Sequence, residues 1–244
     1  AAQGLIAGIN ASLSLKNKEP LILKRSEAYI GVLIDDLINK GITEPYRLLT
    51  SRAEFRLFLR NDNASYRLSE IGKKVGLLTN EKYNVYKTNL KKIKRLEKLL
   101  EETEVTPKKI NNFLESINSS LINKKVRLIE LIKRQEVSLD KILNFLNYKF
   151  EEEIVEEVDI NIKYEGYIKK TKREIEKMNK LEDKKIPADI DYYKIHNIAT
   201  EAKQKLSLVK PINIGQASRI SGVNPSDISV LLVYLKKEYS NERK

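Results

Sequence analysis

The chain has 244 residues, 41% of them hydrophobic and 33% charged, with only 9 Gly and 6 Pro, which suits one large or two small domains of long helices and short connections. It has no Cys and one His, His196, so a disulfide frame, a thiol nucleophile and a cysteine zinc cluster are excluded, and metal sites or triads built on His nearly so. The formal net charge of +12, from 46 Lys and Arg against 34 Asp and Glu, favours a polyanionic partner such as nucleic acid.

No apolar run reaches the ~18 residues that suggest a membrane span, and no signal peptide opens the chain, so the expectation is a cytoplasmic protein without membrane contact. Residue 1 is Ala and the first residues already read as helix, so we expect a segment to precede them. Ala1 to Leu15 places Leu5, Ile6, Ile9 and Leu13 among small residues that allow close packing. Leu21 to Leu23 is a candidate short strand. Ser26 is an N-cap candidate for a helix from Glu27 to Asn39, with Gly41 as its C-cap.

From Ser51 two readings compete. Ser51 and Glu54 have the spacing of a capping box, which favours a helix. Ala53, Phe55, Leu57 and Leu59 alternate with Arg52, Glu54, Arg56 and Arg60, which is also a strand pattern. Asn61-Asp62-Asn63 marks a turn, and Ser69 to Val75 a short helix closed by Gly76. Tyr83 to Glu102 carries an amphipathic stripe of Tyr83, Tyr86, Leu90, Ile93, Leu96 and Leu100, with Lys87, Lys91, Lys94 and Lys98 on another side. Thr106-Pro107 starts a further helix. Asn123 to Arg134 and Leu139 to Tyr148 predict two more, and Ile160 to Leu181 one long helix. Gly166 inside that helix implies a close helix contact to offset its cost of ~1 kcal/mol. Lys184 to Pro187 reads as a linker. Beyond it, short helices begin at Thr200 or Glu201, at Gln216 and at Ser226. The fold class is therefore all-α.

The chain contains neither G-x-G-x-x-G after a strand nor a phosphate-binding G-x-x-x-x-G-K-[ST] loop, so no nucleotide cofactor has a visible cradle. Asp35 and Asp36 are adjacent on a helix and point apart, which disfavours a proton-sharing dyad. His196 reads as structural or exposed. Ser218, Gly222 and Ile228 have the spacing of a helix-turn-helix, but Ser226 to Tyr234 is too apolar to read base edges. A packing or protein-binding hairpin fits better than a DNA reader.

The stretch Glu44 to Leu68 holds Arg47, Arg52, Arg56, Arg60 and Arg67. On a helix, Arg52, Arg56 and Arg60 would share one face. An anionic partner is the simplest reason to gather like charges, the alternative being a solvated face paired with Glu44, Glu54 and Asp62.

Several long motifs carry a family resemblance: AAQGLIAGINASL; RSEAYIGVLIDDLINKGITEPYRLLTSRAEFRLFLRNDNASYRLSEIGKKVGL from Arg25; IKYEGYIKK from Ile162; IPADIDY from Ile186; and KPINIGQASRISGVNPSDISVLLVYLKK from Lys210. In this order they closely resemble the tRNA-modifying flavoprotein family called glucose-inhibited division protein A (GidA), or MnmG. About Tyr83 to Val158 is generic helix. The resemblance implies a parent enzyme that binds FAD in an N-terminal Rossmann-type domain and uses NADH. With the GTPase MnmE and a folate one-carbon donor, it would install an aminomethyl or carboxymethylaminomethyl group at C5 of the wobble uridine (position 34) of tRNA.

On this resemblance, residues 1–15 end the last helix of the flavin domain, 16–78 form an Arg-rich connecting region, 79–185 a long-helix subdomain and 186–244 a terminal helical bundle. No catalytic, metal or cofactor residue is transferred to the chain, which is expected to be catalytically silent alone and to bind tRNA and MnmE, the full-length protein forming a homodimer. The tRNA contacts implied are Arg47, Arg52, Arg56, Arg60 and Arg67, with Phe55 and Tyr66 beside them as candidate base-stacking rings. The partner contacts implied are Gly215, Gln216, Ala217, Ser218, Arg219, Ile220, Ser221 and Gly222, which would otherwise be bundle core. Alternative readings are a pure interaction module and, least favoured, a helix-turn-helix DNA binder.

Overall fold

The computed structural model describes residues 1–39 and 45–239, and Gly41 and Glu44 fall outside them. The described residues are all-α apart from one ribbon of two two-residue strands. The helices are α1 (Ala2–Ser14), α2 (Tyr29–Asn39), α3 (Ala64–Lys74), α4 (Asn80–Glu102), α5 (Pro107–Ser116), α6 (Leu128–Ile132), α7 (Leu139–Phe145), α8 (Glu152–Lys163), α9 (Glu165–Glu182), α10 (Thr200–Val209), α11 (Ile214–Arg219) and α12 (Pro225–Tyr239). Two compact units are formed. The first takes Ala1–Leu5, Ile22–Phe55 and Thr171–Lys244, the second Ile6–Leu21 and Arg56–Lys170.

In the second unit α4 is the central element. Thr79 caps it by accepting a hydrogen bond from the Lys82 amide. Its stripe is used as the spacing demands: Tyr86, Ile93, Leu96 and Leu100 are buried, and α3, α6 and α8 pack against the helix. Lys87, Lys91, Lys94 and Lys98 are exposed. After Thr103 the chain extends into β1 (Glu104–Val105), which pairs antiparallel with β2 (Val126–Arg127). The ribbon aligns Val105 with Val126, and Val105 is sealed in the core. The Asn111 side chain donates to the Ile122 carbonyl and accepts from its amide, pinning the loop between α5 and the ribbon.

Several local expectations are corrected. Leu21 to Leu23 forms no strand, because the Asn10 amide pairs with both backbone groups of Leu21 in place of a neighbouring strand. Ser26 does not cap α2, which begins at Tyr29. It is buried in a turn where the Glu27 carboxylate accepts from the Lys24 amide, and the Lys24 carbonyl lies where a Cβ on Gly31 would sit, 2.3 Å away. The helix from Ser51 does not form either: a single 3-10 turn, Thr50–Arg52, is followed by turns. Asn123 to Arg134 divides between β2 and the short α6. The long helix from Ile160 breaks at Tyr164, and the reason is apolar phase: α8 buries Ile154, Val155, Val158 and Ile162, whereas α9 buries no residue. Gly166 makes no close contact, since a Cβ there would meet nothing within 4 Å.

The tail of the first unit closes on its own core, built on Ile186, Tyr192, Ala202, Leu206, Ile214, Ala217 and Leu231. Lys184 to Pro187 is tied down rather than free, because Lys185 bridges Asn213 and the Ile186 amide donates to the Ile212 carbonyl. Lys210 ends α10 in the left-handed conformation. Asp227 is buried in the first turn of α12 and accepts from the Ala199 and Asn224 amides, which holds α12 to the start of α10. Tyr192 contributes a ring whose buried hydroxyl is pushed up to about 12 by desolvation.

The glycines give a test of opposite sign. Gly222 has a φ of +89°, and a Cβ on it would meet Glu201 Oε1 at 2.5 Å. Gly222→Ala should therefore lower stability by about 1–2 kcal/mol. Gly166→Ala, in open helix, should raise it by up to ~1 kcal/mol. Chemical denaturation midpoints of the two variants measure both.

Candidate nucleic-acid interface

In the first unit the arginine stretch is organised by a cation from another segment. Arg25 is 1% exposed, and its guanidinium is fully engaged. Nη1 donates to Asp36 Oδ1 at 2.7 Å, Asp35 Oδ2 at 3.0 Å and the Val32 carbonyl at 3.3 Å. Nη2 donates to Glu54 Oε1 at 2.8 Å and the Arg52 carbonyl at 3.1 Å, and Nε donates to Glu54 as well. Burial alone would make this group easier to deprotonate. The hydrogen bonds and charges of Glu54, Asp36 and Asp35 more than offset that and hold it above its ordinary value. The same contacts explain the missing helix. Glu54 is not available for a capping box, and the Arg52 carbonyl accepts from Arg25 instead of from an amide four residues on.

Arg52 itself reaches outward. Its side chain is 40% exposed, its Nη1 lies 3.8 Å from Asp36, and its guanidinium sits 5.0 Å over the Tyr46 ring. The Tyr46 hydroxyl donates to Asp36 at 2.8 Å, and burial, then that bond and the Asp36 charge, push the phenol up to about 12. Arg47 is exposed and has no ion-pair partner among the described residues.

The second unit holds the other three. Arg56 is exposed and likewise without a partner among the described residues. Arg60 is half-buried: Nε donates to Asp62 at 2.8 Å, Nη2 to Glu157 at 3.0 Å and Nη1 to the Leu57 carbonyl. Burial pushes the Glu157 carboxyl up, with the Arg60 charge pulling against it. Burial works on Asp62 in the same direction, but there the bond and charge of Arg60 win and the carboxyl is held low. Arg67 donates to Asn63 at 2.7 Å and to the Arg60 carbonyl at 2.9 Å, while Asn63 donates to the Phe58 carbonyl. Arg60 and Arg67 therefore lock the turn over residues 57–63. Phe55 is buried, and Tyr66 packs against the core of the unit.

Residues 215–222 are mostly internal. A Cβ on Gly215 would lie 2.5 Å from the Glu182 side chain, and Ala217 and Ile220 are core. The Gln216 amide donates to Asn213, and its side-chain oxygen accepts from the Ile212 amide. Arg219 forks onto Asp35, with Nη2 at 2.7 Å and Nε at 2.9 Å, and pairs with Glu182 at 3.1 Å. Ser218 and Ser221 are exposed, and Gly222 is half-exposed. Arg25 and Arg219 are the cations that sequence reasoning missed as a pair, and the adjacent acids Asp35 and Asp36 were the available signal.

The Arg60–Glu157 pair can be isolated. Arg60→Met leaves the Glu157 carboxylate buried without its cation and should cost about 3–5 kcal/mol. Adding Glu157→Gln should recover at least ~1 kcal/mol of that loss. A double-mutant cycle by urea denaturation measures it, and additive losses would contradict the pairing.

Residues 80–172 match the tRNA modifying enzyme MnmG/GidA C-terminal helical domain, and residues 174–244 the MnmG/GidA C-terminal helical bundle. The tRNA uridine 5-carboxymethylaminomethyl modification enzyme MnmG of Clostridium kluyveri is 53% identical over 98% of this chain and 38% of its own length. That of Mycoplasma mycoides subsp. mycoides is 50% identical over 99% of this chain and 39% of its own. The form II crystal structure of Aquifex aeolicus GidA superposes with a TM-score of 0.80 at 42% identity, over 96% of this chain and 37% of that one. The chain thus spans well under half the length of these relatives. With both helical models matched in order and the fold shared, the chain belongs to the MnmG/GidA family and carries its C-terminal helical domains.

Proposed function

We propose that this chain is the tRNA-binding and partner-binding part of an enzyme that modifies C5 of the wobble uridine of tRNA. The observation that carries the proposal is the division among the arginines. Arg47 and Arg56 are exposed without a carboxylate partner among the described residues, and Arg52 is exposed with only a 3.8 Å approach to Asp36. Cations left free in this way, in a chain of net charge +12, are available to phosphate. Arg60 and Arg67 fix the turn that follows Arg56.

The flavin and NADH belong elsewhere in this reading. A dinucleotide cradle needs a strand running into a glycine-rich turn and a helix, and this sequence holds no G-x-G-x-x-G. No chemical step is assigned to residues of this chain. The cytoplasmic enzyme would be a homodimer and would work with the GTPase MnmE. For the docking of that partner, Ser218 and Ser221 are the outward-facing residues of segment 215–222, and Leu208, Ile212 and Val233 are exposed apolar residues on the same unit.

Binding of an unmodified tRNA transcript, titrated between 50 and 200 mM salt, tests the proposal. The Arg47→Ala, Arg52→Ala, Arg56→Ala triple variant should bind more weakly and flatten the log–log salt slope by about 2. A triple variant that binds as the parent does removes these arginines from the interface.

A further inference from the structure

Among the described residues four pairs of aromatic rings meet, and in only one are both rings exposed. That pair is Tyr164 and Tyr167, 45% and 68% exposed, with centroids 6.4 Å apart and planes tilted by 51°. They stand at the junction of α8 and α9, within the motif IKYEGYIKK. Tyr164 follows the last residue of α8, and Tyr167 lies in the first turn of α9. A spacing of three brings the two rings to one side. Gly166 between them leaves the backbone bare, with open space where its Cβ would be. Neither phenol has a hydrogen-bond partner among the described residues.

Three features need a common explanation. Exposed tyrosines leave apolar ring faces in water. The glycine gives up helix stability with no packing in return. The charge around the pair is left positive as well. Asp159 is taken by Lys163 at 2.9 Å, and Glu165 by Lys169 and, at 3.7 Å, by Lys133. Lys170, one turn beyond Tyr167, is exposed with no acid partner among the described residues. A ligand suited to this surface is flat and apolar at one end and anionic at the other. An unpaired nucleotide has that form: its base stacks on an aromatic face and its phosphate meets a cation.

We propose that Tyr164 and Tyr167 form a stacking platform for an unpaired base of the RNA ligand, with Lys170 at the adjoining phosphate. This rests on the tRNA-binding reading above and adds a second kind of contact to it, ring stacking, which does not depend on charge. It also gives a role to a motif that the arginine surface leaves unused.

The test uses the 244-residue chain and an unmodified tRNA transcript at several salt concentrations. The Tyr164→Ala, Tyr167→Ala double variant should bind about tenfold more weakly or worse, with the salt slope of the parent, because stacking releases no counterions. The corresponding Phe double variant keeps both rings and should bind as the parent does. Circular dichroism should be unchanged, since both side chains are at the surface. Alanine variants that bind tRNA normally would overturn the proposal. So would a changed salt slope, an equal loss in the Phe variants, or loss of MnmE binding with tRNA binding intact. A parent chain that binds no tRNA would overturn the functional reading itself, which separates that failure from failure of the platform alone.

Discussion

The first unit depends on one buried guanidinium. Arg25 is surrounded by Asp35, Asp36 and Glu54, and Asp35 is shared with Arg219. A buried charge is costly unless its partners are in place, and here the network draws on separate parts of the sequence. The two aspartates lie on α2, Glu54 in the turns before Phe55, and Arg219 at the end of α11, 184 residues from Asp35. Such a network adds little net stability compared with a well-packed apolar core. It specifies instead which segments must meet, because any other arrangement leaves an ion buried alone.

That constraint also sorts the positive charge. Arginines facing inward are used up: Arg25 and Arg219 on the acids of α2, Arg60 on Asp62 and Glu157, and Arg67 on Asn63 and the Arg60 carbonyl. Those without such partners are left on the surface with the lysines of α4 and α9. The exposed positive charge is thus partly a by-product of the fold. Once the structural arginines have taken the well-placed acids, the remainder of the excess charge faces water, where a polyanion can find it.

Much of the helical order was legible in the sequence. The stripe of α4 and the Thr106-Pro107 start of α5 are local signals, and the structure follows them. The failures have a common cause in contacts made by distant residues. Ser51 to Arg60 has both helix and strand signals, and neither prevails because Arg25 takes Glu54 and the Arg52 carbonyl. The alternation nevertheless named buried residues correctly at Ala53, Phe55 and Leu59. Leu21 to Leu23 does not form the expected strand, because the side chain of Asn10 takes both backbone groups of Leu21. At the candidate site, the motif match singled out five arginines, but their sequence spacing could not sort them into structural and free. That depends on Glu157, almost a hundred residues from Arg60, and on Asn63, whose orientation follows from the turn it closes. The exposed tyrosines of IKYEGYIKK were invisible for a different reason: spacing alone made them part of one continuous helix.

The arginines are of two kinds, those that hold the fold and those that are free for an anion. Nitrogen-resolved NMR of the arginine Nε–H groups distinguishes them directly, because Nε of Arg25, Arg60, Arg67 and Arg219 each donates a hydrogen bond within its own unit. In the free chain these four should exchange slowly with water, and those of Arg47 and Arg56 rapidly. On addition of unmodified tRNA, the resonances of Arg47 and Arg56 should shift and slow while the four stay in place. Shifts confined to Arg25, Arg60, Arg67 and Arg219, with Arg47 and Arg56 unmoved, would contradict the account.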